Sequence, residues 1–204
     1  MFEFFKKNKN KDENICKESE NISEKSEVLN NQIKLLKDNN WLYSDYKIGN
    51  KNILIMDDNE SIISTVMDQL YTLDDTSIFN IDDYNIITVY SIMAAFNVIE
   101  ILEYAPNIEI HFALLDLVIG GKKRINDKLV QYDGLDTAIK IWEKFPNAKI
   151  LFLSGCIIEP KDDPSNFKER FFKFYGEDMD RFVIQKGIKF NTETEDLRLF
   201  FNGF

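Results

Sequence analysis

Cysteine is nearly missing from this 204-residue chain: Cys16 and Cys156 are the only two. Two cysteines cannot make a disulfide framework, and a reducing, cytoplasmic setting is expected. Histidine occurs once, as His111 within an apolar stretch, which reads as a packed residue rather than a ligand. Cys156 accordingly has no His or Cys partner with which to act as a nucleophile. No apolar run approaches about 18 residues, so no membrane span is expected. The opening MFEFFKKNKNKDEN has neither an apolar central region nor a small-residue cleavage site, which excludes a secretory signal. Positive charge is also in short supply, with 25 Lys and Arg against 35 Asp and Glu and a net charge of −10. The one dense basic stretch, Lys6 to Lys11, soon gives way to acidic residues. Such an average field repels nucleic acid, and no nucleic-acid partner is expected.

What is present divides the chain at about residue 50. Residues 6 to 27 are mostly Lys, Asn, Glu and Ser, a composition that buries too little apolar surface to offset the entropy of ordering. From Ser26 to Asn39 the spacing of Leu29, Ile33 and Leu36 predicts a helix whose apolar stripe docks on the rest of the chain, pairs with a partner helix or stays half-formed, with docking the favoured of the three. Residues 1–50 are therefore read as an extension, partly disordered with a helix at 26–39, and residues 51–204 as the folded unit.

Within 51–204, short apolar runs alternate with stretches of helical periodicity. The runs are Asn52–Met56 (NILIM), Asn85–Tyr90 (NIITVY), Ile110–Leu115 (IHFALL), Lys149–Leu153 (KILFL) and Arg181–Gln185 (RFVIQ). The helices between and after them are Ser61–Leu73, Ile92–Tyr104, Leu135–Phe145, a phenylalanine face at Phe167, Phe171 and Phe174, and Thr194–Phe201. Continuous apolar strands are those buried on both faces. Five strand–helix units in regular order imply an α/β fold with a five-stranded parallel sheet, doubly wound, joined by right-handed crossovers. Functional groups in such sheets gather at the carboxyl ends of the strands.

The residues at those ends are Asp57 and Asp58, Asp116, Ser154 and, after the fifth run, Lys186. Taken singly, each has an ordinary reading: a turn or helix cap for the Asp pair, a loop hydroxyl for Ser154, a solvated surface lysine for Lys186. Taken together, three carboxylates at one sheet edge need a cation between them. A hard divalent ion with oxygen ligands suits them, and Mg²⁺ fits a site with few protein ligands. A hydroxyl and an ammonium beside it suit a phosphate-like oxyanion.

At this point the chain resembles the receiver domains of two-component response regulators. NILIMDDNESI is similar to their first strand and acidic pair, LLDLVI to their phosphoacceptor strand, and YDGLDTAIKIW to the entry into the following helix. ILFLSG is similar to the strand ending in the switch hydroxyl, and FVIQKG to the strand ending in the site lysine. The resemblance covers residues 51 to 204 and implies the flavodoxin-like (βα)5 receiver fold. It implies that Asp116 is the phosphoryl-accepting nucleophile, and that Asp57, Asp58, Asp116 and the carbonyl of Val118 hold Mg²⁺. It further implies that Lys186 pairs with the phosphoryl group, and that Ser154 turns toward it and biases the face built from the fourth helix, fifth strand and fifth helix of the repeat. The partners implied are a histidine kinase or phosphotransfer protein as donor and a downstream protein target. The role is that of a regulatory phosphoacceptor rather than an enzyme. Only about 18 residues follow Lys186, so output is expected through a partner, a homodimer or the extension.

The family pattern is broken in several places. Asp74 to Asp83, Gly120 to Gln131 and Ile157 to Asn166 are long segments; the second reads as an inserted mobile loop or hairpin. Gly187 stands where the family has proline, and Val183 where it has an aromatic switch residue, with Phe182 adjacent but on the opposite strand face. Two alternatives stay open: a degenerate receiver acting as a phosphorylation-independent interaction scaffold, and a phosphatase of the haloacid dehalogenase type. The latter needs a second Asp two residues beyond its nucleophile, where this chain has Val118.

Overall fold

A computed structural model describes residues 26–74, 79–105, 108–119, 121–125, 128–154, 166–176, 183–185, 197 and 200–201. Expectations for the tail before residue 26, for Cys16, Cys156, Phe182, Lys186 and Gly187, and for 157–165 lie outside the described residues.

The described parts of the five apolar runs form one sheet. Its strands are β1 (Lys51–Met56), β2 (Tyr84–Val89), β3 (Ile110–Asp116), β6 (Lys149–Ser154) and the three-residue β7 (Val183–Gln185), in the order β2-β1-β3-β6-β7. Every neighbouring pair is parallel. Four strands of six or seven residues make the body of the sheet, and β7 is a short addition at one edge. Side chains alternate between two cores, as the period of a strand requires. Ile53, Ile55, Phe112, Leu114, Leu151 and Leu153 enter one core; Leu54, Met56, Ala113, Leu115, Ile150 and Phe152 enter the other.

Helices close both faces. On the first, α2 (Glu60–Asp74) buries Ile63, Val66, Met67, Leu70 and Leu73 beside the helical residues Leu197 and Phe200. On the second lie α3 (Ile92–Glu103), α4 (Gly134–Lys144) and α5 (Phe167–Tyr175). Of the predicted phenylalanine face on α5, Phe167 and Phe171 are buried, while Phe174 is more exposed and stacks on Trp142. The segment after β3 is a two-stranded antiparallel hairpin, β4 (Gly121–Ile125) and β5 (Lys128–Tyr132), set between Asp116 and the start of α4.

The sequence before β1 is built into this body. Helix α1 (26–38) buries Leu36 completely in the second core. The chain then runs antiparallel along the open edge of β2: Tyr43 N–H donates to the Ile86 carbonyl (3.0 Å) and Thr88 N–H to the Trp41 carbonyl (2.8 Å). From there it is clamped by two buried asparagines paired across β1 and β2. Asn85 accepts from Lys47 N–H (2.7 Å) and donates to the Lys47 carbonyl (3.0 Å) and to Asn52 Oδ1 (3.1 Å). The register of β1 on β3 slips at Asn52 and Ile53, opposite His111. There His111 Nδ1 accepts from Asn52 N–H at 3.2 Å.

Candidate metal and phosphoacceptor site

The register of the sheet brings the first two site elements together. Met56 pairs with Leu115, so the next residues along, Asp57 and Asp116, lie side by side at the carboxyl edge. Asp57 is completely buried, Asp116 nearly so, and Asp58 is exposed. One carboxylate oxygen from each of the three lies within 4.8 Å of the other two.

Local turns aim these groups. Asp57 Oδ1 accepts from Asn59 N–H (2.9 Å), and Asn59 in turn accepts from Ser61 N–H (3.0 Å) in the first turn of α2. Short polar side chains favour such a strand-to-helix turn because they take up the unpaired N–H groups of the helix start. Asp116 Oδ1 accepts from Val118 N–H (3.2 Å), which holds the carboxylate against its own loop. Val118 itself is exposed at 55%.

The next strand completes the edge. Asp116 pairs with Leu153, and Leu117 N–H continues the ladder to the Leu153 carbonyl (3.0 Å). Ser154, buried at the end of β6, stands one residue beyond and pairs with Gln185 of β7. Five of the six sequence-predicted site residues (Asp57, Asp58, Asp116, Val118 and Ser154) thus occupy one edge; Lys186, directly after Gln185, is outside the described residues.

The structure adds residues that sequence reading missed. Gly134, first residue of α4, rests on the Asp116–Leu117 backbone: a Cβ there would lie 2.1 Å from the Asp116 carbonyl oxygen and 2.8 Å from Leu117 Cα. Only glycine admits so close an approach. Asp133 caps α4 in a reciprocal capping box with Asp136, and Arg170 of α5 reaches across to both carboxylates. The Asp-Gly step in YDGLDTA was the available signal for Gly134; nothing in the sequence joins Arg170 to residues more than thirty positions away.

Three carboxylates this close repel by roughly 3 kcal/mol per pair at an effective dielectric of about 20. Oxygens sharing one hard divalent cation stand about 3 to 5 Å apart, given metal–oxygen distances of about 2.0–2.6 Å. The observed spacing falls in that range, and the all-oxygen donor set fits Mg²⁺ or Ca²⁺. Among the described residues no helix is long and apolar enough to cross a membrane.

No family model matches the sequence, and no curated protein matches it. Response-regulator receiver domains are among the solved structures to which the chain is similar. The BeF3-activated receiver domain of DrrB is 15% identical with a TM-score of 0.47, over 76% of this chain and 99% of that one. A response regulator from Thermotoga maritima is 16% identical (TM-score 0.46; 76% of this chain, 99% of that one). A CheY-like receiver domain protein from Methanospirillum hungatei JF-1 is also 16% identical (TM-score 0.46; 75% and 94%).

Proposed function

We propose that the chain is a phosphoacceptor signalling module of a two-component phosphorelay, with Asp116 as the residue that is phosphorylated. The observation that carries this reading is the cluster of Asp57, Asp58 and Asp116 at the carboxyl edge of a doubly wound parallel sheet. In this reading residues 51–204 form the receiver unit, with residues 1–50 as its extension.

Asp57, Asp58, Asp116 and the Val118 carbonyl would hold Mg²⁺, which when bound supplies positive charge for the phosphoryl oxygens. An Asp116 oxygen attacks the phosphorus of a phosphohistidine or small acyl phosphate. The bond from phosphorus to the donor breaks, the leaving group departs with the electron pair, and an aspartyl phosphate remains. Such transfer is catalysed chiefly by positioning and charge stabilisation. The Val118 N–H bond to Asp116 Oδ1 provides positioning on the acceptor side. Lys186 is assigned to another phosphoryl oxygen and Ser154 to a hydrogen bond that reports the modification. Donor and target would be a histidine kinase or phosphotransfer protein and a downstream protein, in a cytoplasmic setting.

The test is intact-protein mass spectrometry after incubation with acetyl phosphate, with and without Mg²⁺, alongside Asp116→Asn. A Mg²⁺-dependent gain of one phosphoryl group, lost in the variant, is the expected result. No gain in folded protein would overturn the reading and leave the unphosphorylated scaffold in its place.

A further inference from the structure

A continuous set of contacts runs from helix α5 to the backbone of Asp116. Arg170 Nη1 donates to Asp133 Oδ2 and Nη2 to Asp136 Oδ1, each at 2.6 Å, with a longer contact of 3.5 Å to Asp133 Oδ1. Asp133 and Asp136 are themselves interlocked: Asp136 N–H donates to Asp133 Oδ1 (3.0 Å) and Asp133 N–H to Asp136 Oδ2 (2.8 Å). The residue after Asp133 is Gly134, whose N–H donates to the Leu117 carbonyl (3.3 Å) and whose Cα abuts the Asp116 carbonyl. The entry of α4 is therefore pinned on one side by the Asp116–Leu117 backbone and on the other by one guanidinium.

That guanidinium has a specific task. Two carboxylates at one helix start are favoured by the helix dipole but repel each other. A planar fork with several donors can bridge both at once, which a point-charge ammonium does less well. The helix that carries Arg170 has as its N-cap Asn166, with φ +50° and no side-chain cap bond. Its amino end is thus tied down by packing and by Arg170 rather than by its own cap.

We propose that Arg170 is a positioning residue for the Asp116 site, setting the seat of α4 against the Asp116–Leu117 backbone and so the spacing of the carboxylate cluster. The inference rests on the phosphoacceptor reading and deepens it.

The experiment titrates Mg²⁺ into the full chain by calorimetry for wild type, Arg170→Gln and Arg170→Lys, with circular dichroism confirming equal folding. Acetyl phosphate labelling follows at saturating Mg²⁺. Arg170→Gln is expected to weaken Mg²⁺ binding about 3- to 10-fold, less than the roughly 10- to 100-fold typical of residues bonded directly to a metal ligand. Arg170→Lys, which restores charge without the fork, is expected to fall between. Wild-type affinity and labelling in Arg170→Gln would overturn the proposal. Should that variant not fold, the same titration on Arg170→Gln/Asp136→Asn, freed of the like-charge pair, decides: unchanged affinity overturns the proposal, weakened affinity supports it. Failure of the phosphoacceptor reading itself looks different, because the wild type would then neither bind Mg²⁺ nor take up a phosphoryl group.

Discussion

Gly134 shows how much of this site depends on a group that is missing. A methyl at this position would sit 2.1 Å from the Asp116 carbonyl oxygen, inside contact distance with backbone that cannot swing aside. Gly134→Ala is expected to cost about 1–3 kcal/mol, the range for forced overpacking, seen as a lower denaturant midpoint. Because the displaced atoms belong to Asp116 and Leu117, Mg²⁺ affinity should fall with it. Asp136, two residues on, has its carboxyl raised above the ordinary 3.8, first by burial and then by the Asp133 charge, against the lowering effects of the Asp133 backbone N–H and the Arg170 guanidinium. A carboxyl with a raised native pKa binds protons more readily folded than unfolded. Its contribution to stability is therefore present below pH 3.8 and is lost as pH rises through the higher native value. The stability difference between wild type and Asp136→Asn should accordingly move against the wild type as pH is raised from 3.8 through that window, measured by urea unfolding at several pH values. At this scale the sequence was legible only in part. The acids and Ser154 announced themselves as polar groups ending apolar runs, whereas Gly134 and Arg170 matter through contacts across the fold that no local pattern encodes.

Among the elements, strands and helices of the sheet were readable because burial on both faces writes a continuous apolar run and helical burial writes a 3.6-residue stripe. The inserted segment was readable as a loop or hairpin, though not the limits of its two strands. The passage of residues 41–50 along β2 was not readable, because it is held by main-chain bonds and by Asn52 and Asn85 rather than by an apolar period. An open strand edge invites pairing with another chain, and covering it is a common protection. A chain starting at residue 51 would lose Leu36 from the core, expose the β2 edge and leave buried Asn85 without its Lys47 partners. The loss is expected to be at least about 4 kcal/mol, from core truncation plus unsatisfied polar groups. Urea unfolding and light scattering would register it as a lower midpoint with association. Tyr46 belongs to the same clamp. Its phenol is raised above 10.0 chiefly by burial, with hydrogen bonds to Asn52 and Asn85 acting the other way. The stability this gives is present below pH 10 and lost as pH rises through the raised value. The advantage of wild type over Tyr46→Phe should therefore shrink in alkaline melts.

For the whole molecule, the decisive feature is that folding and the acidic cluster oppose each other. Two cores on the two faces of one sheet hold β1 and β3 adjacent, and that adjacency forces Asp57 and Asp116 together whether or not a cation is available. In metal-free buffer the native state therefore carries an electrostatic cost that the unfolded chain, with its charges apart, does not. Asp57→Asn keeps the shape of the side chain and its acceptor for Asn59 N–H while removing one charge from a fully buried position. With EDTA present, the variant is expected to be more stable than wild type by about 1–2 kcal/mol, a fraction of the unscreened pair repulsion. Millimolar Mg²⁺ should reverse the order. A ligand that binds only the native state adds about 2.7 kcal/mol at a hundredfold excess over its dissociation constant, and Asp57→Asn gives up one oxygen of the proposed metal site. Thermal unfolding of both proteins, with EDTA and with Mg²⁺, measures the crossing directly. Parallel curves in the two buffers would mean that the three carboxylates hold no divalent cation, and the phosphoacceptor assignment would fall with the site.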